Sequence, residues 1–135
     1  MPRFAAAAGF CADAFKADPK LAKDVRTAIR YNAACAAALA GCAQGEDADR
    51  LDDKQRARLR RQALDWLRED LSRWAKNGAT LDNSSAGLRH WQIDPDLAGI
   101  RDSDALARLP TEEREQWQRL WSDVDALLHQ AGRSQ

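Results

Sequence analysis

The stretch 31-YNAACAAALAG-41 holds six alanines, one cysteine and a closing glycine in eleven residues. Alanine favours the helix, yet a helix with so little bulk gains little from ordinary core burial. Small side chains allow close approach instead. Two helices that meet through Ala, Cys and Gly bring their axes to the lower end of the usual range, about 8 Å, while larger residues elsewhere fill the flanks. The stretch therefore predicts a close antiparallel helix pair, and with it an all-α fold.

The rest of the chain agrees with that expectation. Of its 135 residues, 44% are hydrophobic, but much of that is alanine, set beside Leu and five Trp, so helices are favoured over sheets. The length suits a single helical domain, 1–135. Lys plus Arg and Asp plus Glu both number 21, so no global field draws the chain to nucleic acid or anionic lipid. No segment approaches the roughly 20 apolar residues that span a bilayer, and the alanine-rich start lacks the core of a signal peptide. A cytoplasmic protein is expected. Cys11, Cys35 and Cys42 are odd in number and never spaced C-x-x-C, which argues against a disulfide framework and a zinc site; they read as small buried residues.

Periodicity places the elements. Phe4, Ala7, Ala8, Cys11, Ala14 and Phe15 recur at three and four, giving a helix over 3–17 that stops at Asp18-Pro19. It begins without a capping residue, so its apolar edge (Phe4, Cys11, Phe15) is expected to dock a preceding repeat or a second copy. A second helix covers 22–42, with Val25, Ile29, Ala33, Ala36, Leu39 and Ala40 inward and Gly41 and Gly45 at its exit. A polar loop follows over 44–53. The third helix then runs over 53–76, capped by Asp49 or Asp52, with Ala63, Leu64, Leu67, Leu71 and Trp74 inward and Gly78 as its stop. Beyond a loop near 77–85 come a short helix at 85–92 and short turns opened by Pro95 and near Asp104. A final helix runs from Pro110 or Thr111 to Gln130, before Gly132, with a stripe of Trp117, Leu120, Trp121, Val124, Leu127 and Leu128.

These motifs carry a resemblance. YNAACAAALAG resembles the first helix of a tetratricopeptide repeat. Ala33 and Ala34 stand at the family's leucine-glycine pair, Ala37 at its tyrosine and Gly41 at the helix exit. RQALDWLREDL, residues 61–71, is similar to the second helix, with Ala63 at the small-residue position and Leu67 at the next large one. CADAFKADP, residues 11–19, resembles the tail of a preceding repeat through Ala14 and Pro19. The pattern is broken by the long loop after Cys42, by Asp70 at a small-residue position and by Ala75 in place of a proline. Together with LRHWQIDPDLAG and LWSDVDALL, the chain resembles the C-terminal repeat region of large bacterial serine/threonine protein kinases. The resemblance implies a helical array: the end of a preceding repeat in 1–19, an expanded helix pair in 22–76, and C-terminal capping helices in 80–131.

It also implies a peptide groove on the first helix of the pair, with Tyr31, Asn32, Cys35 and Ala38 as candidates. Asn32 would offer an amide donor and acceptor to a peptide backbone or terminal carboxylate. The kinase glycine-rich loop, H-R-D and D-F-G are absent, and no nucleophile, base and oxyanion donor assemble. Neither a catalytic residue nor a cofactor or metal ligand is expected. His90 and His129 are isolated, and Asp94 and Asp96 flank Pro95 as a helix start does. The basic run 54-KQRARLRR-61 is interleaved with acids four residues away (Asp52 with Arg56, Arg61 with Asp65, Glu69 with Arg73), the pattern of a solvated helix face and not of a nucleic-acid surface. The sequence thus leads to a non-catalytic protein- or peptide-binding scaffold of tetratricopeptide type. Its alternative is a free-standing helical homo-oligomer associating through the N-terminal helix, its dimer lost on Phe4→Asp or Phe15→Asp; a small enzyme of unrecognised chemistry would need a saturable ligand in a pocket containing His90.

Overall fold

Ala17-Asp18-Pro19 ends the first helix as its chemistry requires. In the computed structural model, which describes residues 3–22, 29–45, 50–77 and 84–133, α1 spans Phe4–Ala17. The Asp18 N–H still donates to Ala14 O, and Pro19 then opens a 3₁₀ turn, Pro19–Ala22. Arg3 stands at the helix start with no side-chain cap. Next comes α2, Ile29–Gly41; Val25 and the expected start of this helix lie outside the described residues.

The exit of α2 differs from expectation. The Gln44 N–H donates to Leu39 O and the Ala43 N–H to Ala40 O, the paired bonds of a Schellman motif. That motif places its left-handed residue at Ala43, φ 64°, while Gly45 takes φ 102° two residues later. Gly41 instead remains helical.

Helix α3, Asp53–Asn77, begins with a reciprocal capping box. The Gln55 N–H donates to Asp52 Oδ1 at 2.7 Å and the Asp52 N–H to Gln55 Oε1 at 2.9 Å. Asp52 is therefore the cap; the other candidate, Asp49, lies outside the described residues, as does the expected stop at Gly78. Ala63, Leu64, Leu67 and Leu71 are buried as expected and Trp74 is half-buried, with Trp66 and Asp70 buried besides.

Helix α4 (Ser84–Ile93), a 3₁₀ turn (Pro95–Ile100), α5 (Ser103–Leu106) and α6 (Thr111–Arg133) complete the order. Glu112 and Glu113 lie in the first turn of α6, at its positive end. The helix continues through Gly132, past its expected end. Among the described residues there is no strand, so the fold is all-α.

The chain divides into two compact units, Met1–Asp70 and Leu71–Gln135, the boundary falling inside α3. In the first, α1 packs along α2, and Phe15 meets Trp66 of α3 edge to face, ring centroids 5.5 Å apart. In the second, α4 packs on α6 and on the 3₁₀ turn. Leu97, Ile100, Trp117, Leu120 and Val124 are fully buried there. Trp121 reaches the surface with one edge and donates from Nε1 to Ile100 O at 2.8 Å.

Candidate functional site

The setting of α2 follows from what lies beneath it. Arg30, Ala34, Ala37 and Gly41 recur at four, three and four, one stripe of the helix, and all four are buried. At one end of the stripe Arg30 Nη1 lies 3.0 Å from Asp70 Oδ1 and 3.5 Å from Glu69 Oε2, both on α3. At the other, Arg60 Nη1 of α3 donates to Gly41 O at 2.7 Å. A Cβ on Gly41 would stand 3.0 Å from both Arg56 O and Arg60 N, and 2.5 Å from Arg60 Cγ. The antiparallel pair is thus so close at this end that backbone meets backbone, which is why residue 41 is glycine, while α1 packs along α2 on its small residues.

Bulk cannot enter that contact, so the larger residues of α2 turn outward. Ile29 and Asn32 are exposed, and Ala36 and Leu39 are half-buried. Spaced three, four and three, they form one narrow strip on the side opposite Arg30. The accessible surface is therefore an amide flanked by aliphatic carbon, on a helix held at both ends by α3.

This corrects two expectations. Ile29, Ala36 and Leu39 belong to the accessible strip and not to an inward stripe. Of the groove candidates, Asn32 is exposed and Tyr31 half-buried, but Cys35 and Ala38 are buried, 6% and 1% exposed, and cannot meet a peptide. The real strip is rotated by about one residue, roughly 100°, from the expected one. The docking edge on α1 changes likewise. Phe4, Cys11 and Phe15 are half-buried, with Phe15 against Trp66, while Phe10 stands 77% exposed. Partial burial pushes the Cys11 thiol above its ordinary value, because burial disfavours the thiolate.

Sequence reasoning missed the Arg30–Asp70 pair, although two signals pointed to it. Asp70 already departed from the repeat pattern, and Arg30 falls in register with three small inward residues. Glu69, expected beside Arg73, meets Arg30 instead. In the basic run, Arg61 pairs with Asp65 as expected, Arg56 lies against Asp53, and Arg60 is engaged by Gly41.

The second unit has its own polar cluster. Asp94, 7% exposed, accepts from the Asp96 N–H at 3.0 Å and so caps the 3₁₀ turn. His90 Nε2 lies 3.2 Å from its other oxygen. Arg101 Nη1 donates to Trp91 O and Asp94 O at the end of α4, where helix carbonyls lack partners. These bonds close helix ends.

Compared with protein-family models, curated proteins and solved structures, the chain matches none. No helix among the described residues is long and apolar enough to cross a membrane.

Proposed function

We propose that the chain is a non-catalytic interaction module of tetratricopeptide type, a cytoplasmic scaffold that binds a peptide or protein along the accessible strip of α2. One observation carries the reading: α2 is tied to α3 at Arg30 and, down to backbone contact, at Gly41, and the opposite face turns Asn32 outward between Ile29 and Leu39. A rigid helix offering one oriented amide between apolar flanks suits an extended partner, whose main chain the amide bonds and whose side chains cover the aliphatic carbon. The resemblance adds that the module is related to the terminal repeat region of a bacterial serine/threonine kinase.

The test is selection from a displayed peptide library on the immobilised 135-residue chain, followed by affinity measurement. Selected peptides should bind two- to tenfold more weakly to Asn32→Ala, the loss expected for about 0.5–1.5 kcal/mol of hydrogen bonding. Leu39→Asp should abolish binding while the circular dichroism stays helical. Failure to select any peptide, or peptides indifferent to both substitutions, would overturn the reading.

A further inference from the structure

The outer face of α1 carries a second surface. Ala8 is the one residue of this helix that is buried. On the opposite side Arg3, Ala6, Phe10, Asp13 and Ala17 are all exposed. Ala6, Phe10, Asp13 and Ala17 recur at four, three and four, the spacing of a coiled-coil seam, and Arg3 precedes them at the cap position. Phe10 is the most exposed large apolar side chain described, and beside it Gly9 has open space, with nothing within 4 Å of a Cβ placed there.

We propose that two copies of this chain associate through antiparallel α1 helices, with Phe10 of each seated over Ala6 of the other and Arg3 of each facing Asp13 of the other. The seam is complementary to itself in this direction alone. Antiparallel pairing sets the knob at 10 against the small residue at 6, and the same register brings the cation at 3 to the anion at 13. A parallel pair would set Phe10 on Phe10, arginine on arginine and aspartate on aspartate. Copies of a chain with 21 cationic and 21 acidic residues feel no net repulsion. The helix that carries the seam is only 14 residues long, about 20 Å. Its interface therefore falls in the small, weak and reversible class. The peptide strip lies on a different helix, so the two readings stand or fall separately.

Sedimentation equilibrium of the full chain, from about 10 to about 500 µM, spans the range in which so small an interface associates. The weight-average mass should rise from 15.0 kDa toward twice that value. Phe10→Asp should hold it at the monomer throughout. Arg3→Glu and Asp13→Arg should each weaken association several-fold, and the double reversal should restore it to within about twofold. Asn32→Ala should leave the mass curve unchanged. Circular dichroism of each variant checks that α1 still forms. A wild-type chain monomeric at every concentration, a Phe10→Asp chain that still dimerises, or a double reversal no better than either single one would overturn the proposal. The first of these results would leave the face to a different protein.

Discussion

In the unit Met1–Asp70, α2 buries Ala33, Ala34, Cys35, Ala37, Ala38, Ala40 and Gly41, with an arginine among them. In the unit Leu71–Gln135, the largest fully buried side chains among the described residues are Trp117, Leu97, Ile100, Leu120 and Val124. The first combines large buried side chains of α3, Leu64, Trp66 and Leu67, with a helix of small residues that lets backbone approach backbone at Gly41. The second gains its cohesion from apolar area removed from water by large side chains. The two should therefore fail differently: the first when a partner is lost or an atom added at its close contact, the second when atoms are removed from its interior.

The largest effect is expected at the buried ion pair. Arg30 is 3% exposed, and its Nε has no acceptor among the described residues. Among the described residues, Asp70→Ala would leave that cation facing Glu69, whose carboxylate is 64% exposed and well hydrated. A loss of about 3–5 kcal/mol follows, read as a lower denaturation midpoint in urea. Replacing both partners with apolar residues, Arg30→Met with Asp70→Leu, should recover most of it. If Asp70→Ala costs less than about 1 kcal/mol, the pair is solvated and the small-residue packing is looser than described.

A smaller effect separates the two residues at the end of α2. Gly41→Ala puts a methyl group against Arg56 O and Arg60 N, and neither backbone atom can rotate away; about 1–3 kcal/mol should be lost. Two residues on, Ala43→Gly removes a Cβ from a left-handed position and should gain about 1 kcal/mol. Opposite signs for these two exchanges, measured as midpoint shifts, would show that space sets residue 41 and backbone angle sets residue 43. Equal signs would break the distinction.

The same contrast explains what could be read from the chain. In α6 bulky apolar and charged residues alternate sharply, so Trp117, Leu120 and Val124 were placed in the core from spacing alone, and all three are there. The end of α1 and the start of α3 were equally legible, because Pro19 and the polar loop act locally, although the cap was narrowed only to Asp49 or Asp52. The rotation of α2 was not. Alanines on every side give no contrast from which a face can be chosen, so the face is set by groups distant in sequence: Asp70, which draws Arg30 inward, and the α3 backbone, which requires Gly41. Asn32 was legible as an exposed amide, whereas Cys35 and Ala38 were misplaced by that same rotation.

The smallest expected effect lies at the polar edge of the second unit, where charge adjusts what apolar bulk has already fixed. The Asp96 carboxyl titrates above its ordinary value of 3.8, first because partial burial disfavours the anion and then because Asp94 lies close; the His90 side chain opposes both. An acid whose folded value is raised binds its proton more tightly in the native state than in the unfolded chain. Its stabilising contribution is therefore present in acid, below the ordinary aspartate range, and is lost as pH rises through the raised value. A carboxyl NMR titration should find Asp96 above the unfolded value, lower in Asp94→Asn and higher in His90→Gln. Asparagine at 94 can still accept from the Asp96 N–H, so the turn remains capped and charge alone is varied. If Asp96 titrated at or below 3.8 while Asp94 kept its bond to that N–H, the carboxyl would be fully solvated. The contrast between the units would then be one of apolar packing alone.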